Sequence, residues 1–410
     1  MNENLLNINQ IISNKYGNKL VDLNNDIENL NSVVQNNVNN RYKIIKYLGE
    51  GIHGSLYLVK DMKPLPESQQ NNINGNDGNN GNNGNNGNDN RIILKRINLP
   101  NSNEKMMKQL NLELNILKFL SNNITTSEYI NPCINYKILN NQILTLFPVF
   151  NGYSLKYLLS HLKKLKNAEY YKIILHVIKK ILYGLSNIHK MKIAHQNITE
   201  NSILVSTYIK TNEIKIKFTD FGLGCNSNPK SSNIVNITDY EKHMNNHNKN
   251  NNKNNNTEEY KCNVNINTPI EISQELIDKL TDADYLLISQ KYDLWCIGII
   301  FLKLLLRFEK LDDSESGKWG IKKGYNKTFE TDIKNKIIKK YLVNTNENTN
   351  EYDNTRDLMF SGISKTMIKD IIEYLKILNK FVLKPTPFRH TCQYVLDKII
   401  IYEKYKNDNI

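Results

Sequence analysis

The chain has 410 residues, of which 39% are hydrophobic, and it carries a formal net charge of +13. This length is sufficient for a two-lobed domain with insertions. The positive charge is spread over lysines in helical segments and Asn-rich tracts. It does not form a compact basic patch with interleaved aromatics, so specific nucleic-acid binding is not expected.

Cysteine usage and hydropathy argue for a cytoplasmic protein. The five cysteines are odd in number and form no C-x-x-C pair: Cys133, Cys225, Cys262, Cys296 and Cys392. This pattern argues against a disulfide framework or a zinc site. The first residues lack the pattern of a signal peptide. The longest apolar run, residues 294–306, is too short to span a bilayer and contains Lys303, so no membrane span is predicted.

The first 150 residues predict a small sheet with one helix. Residues 1–41 are Asn-rich, and we expect a disordered extension there. Residues 63–90 include the run G-N-N-G-N-N-G and predict a flexible insert. Apolar alternation and helical spacing predict the ordered elements between them: a strand–turn–strand over 41–61, a strand over 91–99, a helix over 103–120, and two strands over 136–149 around Asn140-Asn141.

After residue 150 the pattern becomes helical. The predicted helices cover residues 154–165, 168–190, 285–306, 331–342, 363–382 and 391–404. Two further low-complexity inserts are predicted at residues 226–265 and about 312–330. The order of elements predicts an α+β fold, with a five-stranded antiparallel lobe at 42–150 and a mostly helical lobe at 151–404.

A glycine-rich pattern lies between the first two predicted strands. Its glycines allow the backbone to close over phosphates, to which the N–H groups can donate. A strand follows the pattern rather than a helix, which excludes a dinucleotide-binding turn. The candidate nucleotide-binding residues of this loop are Leu48, Gly49, Glu50, Gly51, Ile52, His53, Gly54, Ser55 and Leu56.

Three charged residues further along suit the same ligand. Lys95 lies on the third predicted strand and Glu113 on the helix that follows. An ion pair between them would orient the ammonium toward phosphates, although a lone strand lysine is more often simply solvated. Asp220 opens the tripeptide D-F-G, and an aspartate there can coordinate Mg²⁺.

Several motifs in order carry a resemblance to a known family. Residues 193–205 read I-A-H-Q-N-I-T-E-N-S-I-L-V, residues 268–275 read T-P-I-E-I-S-Q-E, and residues 293–298 read D-L-W-C-I-G. Together with the glycine loop, Lys95 and D-F-G, they resemble the protein kinase superfamily, serine/threonine type, over about residues 42–404. The resemblance implies a two-lobed kinase fold that binds ATP.

The resemblance also implies roles for single residues. It places Leu48, Leu56 and Leu204 around the adenine, and Leu117, His195 and Phe221 in an internal stack. It also implies that Asp293 supports the catalytic loop and that Glu275 and Arg389 form a buried ion pair. The segment from Leu94 to Leu114 is similar to the sterile-20-like group. That group includes STRAD-type pseudokinases that activate a partner kinase, but these lack the intact D-F-G found here.

The catalytic loop departs from the kinase pattern H-R-D-x-K-x-x-N. Asn197 stands in place of the Asp, Thr199 in place of the Lys, and Ser202 in place of the Asn. Asn197 is neutral and cannot accept a proton, and the other two exchanges remove a cation and a metal ligand. We therefore predict no intact catalytic residue, possible ATP binding, and weak or absent Mg²⁺ binding with Asp220 as the single ligand.

Two more substitutions affect the expected function. Gln196 replaces the Arg that would bind an activation-loop phosphate, so we do not expect the usual phosphorylation switch. Ile93 stands where kinases mostly have Ala, and its bulk would crowd the adenine.

Three functional hypotheses remain open at this point. The first is a pseudokinase that acts as scaffold or allosteric regulator of another protein kinase or signalling complex. The second is a weakly active, unconventional Ser/Thr kinase, since the nucleotide-binding residues are retained. The third is an RNA- or polyanion-binding protein that uses the positive charge and the Lys- and Asn-rich tracts.

Overall fold

The structure is a computed structural model that describes residues 42–51, 54–62, 91–98, 104–139, 142–162, 164–208, 213–226, 281–305, 362–383 and 389–408. The predicted extension at 1–41, the inserts at 63–90 and 312–330, and the predicted helix at 331–342 lie outside the described residues. Of the predicted insert at 226–265, only Asn226 is described, as the end of a strand.

The N-terminal part is a five-stranded antiparallel sheet, as the alternation of apolar residues predicted. Its strands are β1 (Tyr42–Gly51), β2 (Gly54–Asp61), β3 (Arg91–Asn98), β4 (Asn135–Leu139) and β5 (Gln142–Pro148). They lie in the order β1-β2-β3-β5-β4. Residues of β1, β2, β3 and β5 form an apolar cluster of Tyr42, Ile44, Tyr57, Val59, Ile92, Leu94, Leu144 and Leu146. Because side chains alternate along a strand, Ile93 and Lys95 lie on the opposite face from Ile92 and Leu94.

Helix α1 (Glu104–Ser121) follows β3 and carries Glu113. Leu110, Leu114 and Leu117 repeat at helical spacing and are buried. The hydroxyl of Ser121 donates to the carbonyl of Leu117 at 2.6 Å, which satisfies a backbone acceptor in the last turn. Because these leucines pack in the core, the helix and its Glu113 are held in place.

The C-terminal part is mostly helical. Its helices are α2 (Leu155–Leu162), α3 (Asn167–Lys190), α4 (Asp282–Leu305), α5 (Lys365–Ile377) and α6 (Cys392–Asp408). Two short sheets complete it: β6 (Tyr153–Ser154), β8 (Ile203–Tyr208) and β9 (Glu213–Phe218) in the order β6-β8-β9, and β7 (Ile193–Ala194) with β10 (Cys225–Asn226).

Helix α4 forms the centre of this part. The stretch Ala283–Leu305 is long and apolar enough to cross a membrane by length and composition, but 72% of its most apolar window is buried. A helix surrounded by protein is apolar on all sides, so burial accounts for its hydropathy. The hydroxyls of Tyr170 and Tyr171 donate to the carbonyls of Leu304 and Leu305 at 2.9 and 3.0 Å, which caps the C-terminal end of the helix.

The predicted helix at 363–382 is divided in the structure. Helix α5 ends at Ile377 and continues as a π-helix over Leu378–Val382. Here the amide of Leu383 donates to the carbonyl of Leu378 at 2.9 Å, five residues back. The wider turn keeps Leu378, Val382 and Leu383 in the core.

Cys225 is disulfide-bonded, a single bond that the odd cysteine number and the lack of a C-x-x-C pair did not predict. Cys133, Cys296 and Cys392 are free. Cysteine count and spacing hold no information about two cysteines that only the fold brings together.

Candidate functional site

Charged residues from the N-terminal and C-terminal parts of the chain meet at Lys95. Its Nζ atom lies 3.0 Å from Oε1 and 3.3 Å from Oε2 of Glu113, and 3.6 Å from Oδ1 of Asp220. The ion pair expected between Lys95 and Glu113 is thus present, and both side chains are buried. Burial alone would lower the pKa of Lys95, but the charges of Glu113 and Asp220 outweigh it and raise this pKa above its ordinary value. Lys95 is therefore an ammonium at neutral pH.

Asp220 lies between Lys95 and the loop at 195–202. Asn197 Nδ2 donates to Asp220 Oδ2 at 3.3 Å, a contact that sequence reasoning did not predict. The backbone of Asp220 has a φ of 67°, a left-handed conformation that a non-glycine residue keeps only where its surroundings require it. Asn197 thus binds a carboxylate that a catalytic Asp at this position would repel.

The structure gives one observation on metal binding. Asp220 Oδ1 is buried and accepts no hydrogen bond from the described residues, and its ion-pair contact is with Lys95 Nζ at 3.6 Å. Within those same residues, no group of three or more His, Cys, Asp or Glu side chains is close enough to hold a metal ion. The donor set suits a single contact to a cation that other ligands, such as phosphates, would also have to hold.

Thr199 and Ser202 direct their hydroxyls into their own loop. Ser202 Oγ accepts from the amide of Thr199 at 2.9 Å and donates toward the carbonyls of Thr199 at 3.1 Å and Asn197 at 3.3 Å. Thr199 Oγ1 accepts from the amide of Ser202 at 3.3 Å. Short hydroxyl side chains commonly close loops in this way. The two positions therefore stabilise the loop backbone.

Asp293 on helix α4 holds the start of the loop, as the resemblance implied. Its two carboxylate oxygens each accept a 2.7 Å hydrogen bond, from the amides of His195 and Gln196. His189 Nε2 lies 3.1 Å from Oδ2. Asp293 has no exposed surface, and these hydrogen bonds offset the free-energy cost of burying its carboxylate.

His195, Phe221 and Leu117 are all buried, which agrees with the predicted internal stack. The ring centroids of His195 and Phe221 are 4.4 Å apart. His195 Nε2 lies 2.9 Å from the carbonyl of Thr219, which can only accept, so Nε2 carries the proton. The amide of Asn197 donates to Nδ1 at 3.3 Å. Phe221 lies inside the core, while the adjacent Asp220 contacts Lys95 and Asn197.

The glycine-rich hairpin lies over the same face of the sheet as Lys95. Leu56 pairs with Lys95 across β2 and β3. A Cβ atom on Gly54 would lie 2.1 Å from the carbonyl oxygen of Arg96, so a side chain cannot be accommodated there without backbone movement. Leu48 is exposed, whereas Leu56 and Leu204 are half-buried. Ile52, His53 and the side chain of Glu50 lie outside the described residues.

Arg389 is buried at the base of the helical part. Its Nη1 and Nε donate to the carbonyls of Lys291 at 2.7 Å and Val382 at 3.0 Å. Its guanidinium lies 4.9 Å from the Trp295 ring centroid. Burial lowers the pKa of Arg389 to about 10, so it stays charged at neutral pH. Glu275, its predicted partner, lies outside the described residues.

Comparison with known proteins agrees with this geometry. The family model described as "Protein kinase domain" matches residues 74–396. A curated protein of Dictyostelium discoideum, "Probable serine/threonine-protein kinase fhkA", is 31% identical over 136 residues, which are 32% of this chain and 22% of that protein. The chain thus spans about a fifth of the length of this relative. The matched range includes Lys95, Glu113, Asp220 and Asp293, whose contacts are described above. Because the family model matches most of the chain, the chain belongs to the protein kinase domain family.

Proposed function

We propose that this member of the family is a pseudokinase that binds ATP and regulates a partner, either another protein kinase or a signalling complex, as a scaffold or allosteric component. The observation that carries the proposal is the loop at 195–202. Its Asn197 amide binds Asp220, and the hydroxyls of Thr199 and Ser202 bind the loop itself. None of the three side chains can accept a proton and act as general base at neutral pH.

Nucleotide binding is supported by the arrangement around Lys95. An ammonium held by two carboxylates in a buried site presents a fixed positive charge to phosphate oxygens. Asp220 Oδ1 would contact a Mg²⁺ ion bound mainly by the phosphates. Such an ion would neutralise phosphate charge. Because Asp220 is the single protein ligand proposed for it, we propose that nucleotide binding depends only weakly on Mg²⁺.

A weakly active Ser/Thr kinase is the second candidate. It is favoured by the retained Lys95–Glu113–Asp220 arrangement and by the inward packing of Phe221. Phosphoryl transfer depends mainly on positioning and charge neutralisation, so loss of the general base alone does not abolish it. The similarity to the sterile-20-like group and the cytoplasmic location stay predictions.

The deciding experiment is transfer of radiolabel from ATP by the purified full chain, to itself and to a generic protein substrate. We expect incorporation no higher than that of Asp220→Ala, because base, cation and second metal ligand are all replaced. Incorporation that disappears in Asp220→Ala would instead establish an active kinase. The triple variant Asn197→Asp, Thr199→Lys, Ser202→Asn is the matched gain-of-function control, and we expect it to raise transfer by about 10²-fold or more.

Ile93 gives a second prediction, on nucleotide affinity. It shares a face of β3 with Lys95 and is half-buried, so Ile93→Ala should enlarge the adenine side of the cleft. Relief of overpacking of about 1–3 kcal/mol corresponds to roughly 5- to 150-fold tighter binding of a fluorescent ATP analogue. Ile45→Ala, on the exposed part of β1, is the control and should leave affinity unchanged. Equal affinities of Ile93→Ala and the wild type would show that Ile93 does not crowd the ligand.

A further inference from the structure

The side chain of Gln196 is buried and contacts two elements of the structure, helix α4 and strand β10. Its Nε2 donates to Ser289 Oγ on helix α4 and lies 3.5 Å from Cys225 Sγ on β10. Gln196, Ser289 and Cys225 are all buried. The backbone of Gln196 has a φ of 58°, again a left-handed conformation that contacts on several sides must maintain.

One face of helix α4 holds both the backbone and the side chain of Gln196. Ser289 binds the side chain, and Asp293 Oδ1 accepts from the backbone amide at 2.7 Å. Ser289 and Asp293 are four residues apart, which places them one above the other on the helix. Helix α4 therefore restrains both the backbone and the side chain of Gln196.

The contact with Cys225 extends this support to the segment that leaves Asp220-Phe221-Gly222. Cys225 pairs with Ala194 and Asn226 pairs with Ile193 across β10 and β7. Gln290, next to Ser289, donates to the carbonyl of Ile193 at 3.2 Å. The strand before the loop and the strand after Asp-Phe-Gly are thus joined to each other and to α4.

We propose that Gln196 is a positioning residue that keeps the 195–202 loop and the exit of the Asp-Phe-Gly segment in one arrangement by neutral contacts, with no phosphate on the chain. The sequence predicted only that Gln196 would not bind a phosphate. The structure adds what it binds instead. A phosphate at this position would have to displace the buried, neutral hydrogen bond between Gln196 and Ser289. Gln196 offers no positive charge in return, so phosphate binding there is unfavourable.

Hydrogen exchange measured by mass spectrometry tests this on the full chain. The protein is treated with phosphatase and reductant, so that neither a phosphate nor the disulfide of Cys225 holds the segment, and no nucleotide is added. In Gln196→Ala and in Ser289→Ala, we expect peptides covering 193–196 and 222–226 to exchange at least about tenfold faster than in the wild type. Peptides from β4 and β5 should not change. The double variant should exchange no faster than the faster single variant, because both remove one shared contact.

Three results would overturn the proposal. The first is unchanged exchange of both peptides in Ser289→Ala, which leaves Gln196 in place and serves if Gln196→Ala does not fold. The second is loss of their protection in the wild type on phosphatase treatment alone. The third is additive effects of the two variants. Because the measurement uses no nucleotide, absence of ATP binding would contradict the proposed function without affecting this result.

Discussion

Replacement of Asp293 by Ala is expected to cause the largest loss of stability of any single substitution in the site. The change removes a fully buried carboxylate and leaves the amides of His195 and Gln196 without their acceptor. Breaking a buried, hydrogen-bonded charge typically costs about 3–5 kcal/mol, a large part of the total stability of a domain. We expect the midpoint of thermal unfolding to fall by about 10 °C or more, as measured by calorimetry or circular dichroism.

Two further variants make this prediction specific. Asp293→Asn keeps the shape and one good acceptor, so its loss of stability should be smaller than that of Asp293→Ala. Asp397→Ala removes an exposed aspartate from helix α6, and we expect a change within about 0.5 kcal/mol. An Asp293→Ala protein as stable as Asp397→Ala would show that Asp293 does not hold the loop.

Substitution of Lys95 by Met is expected to have the largest effect on ligand binding. Met has a similar length but no charge, so the phosphates would lose a charge-assisted contact. Such a contact contributes about 1.5–3 kcal/mol, and we expect about 10- to 150-fold weaker binding of a fluorescent ATP analogue. The measurement is a fluorescence titration of the purified full chain, with and without Mg²⁺.

The control for Lys95→Met is Lys137→Met, which makes the same charge change at an exposed position of β4. We expect its affinity to differ from the wild type by less than about twofold, since exposed charges interact weakly through water. Lys95→Met also leaves Glu113 without its ion-pair partner, so its folding is checked by thermal unfolding first. Equal affinities of Lys95→Met and Lys137→Met would place any bound nucleotide away from Lys95.

Much of the architecture follows from patterns that are local in the sequence. Alternation of apolar residues predicts β1 to β5, because a strand that buries one face must alternate. Helical spacing predicts α1, α3 and α6 to within a few residues. The contacts of Lys95 with Glu113, and of Asp293 with the loop, could be predicted because motif order and spacing identify the family in which these residues meet.

The π-helix could not be predicted in this way. Residues 378–382 have the same apolar spacing as an ordinary helix end. The choice between an α- and a π-turn depends on whether Val382 and Leu383 fit the core. That fit involves residues of other elements, which periodicity does not describe.

By itself, the sequence determined the family, the loss of chemical groups at Asn197, Thr199 and Ser202, and the retention of Lys95 and Asp220, because these depend only on residue type in a recognisable order. Only the tertiary structure decided what the replacements bind. Asn197 and Asp220 are 23 residues apart, and Gln196 and Ser289 are 93 apart. A hydrogen bond between such residues depends on distances of a few ångströms and on the directions of two side chains, which are established when the separate elements pack together.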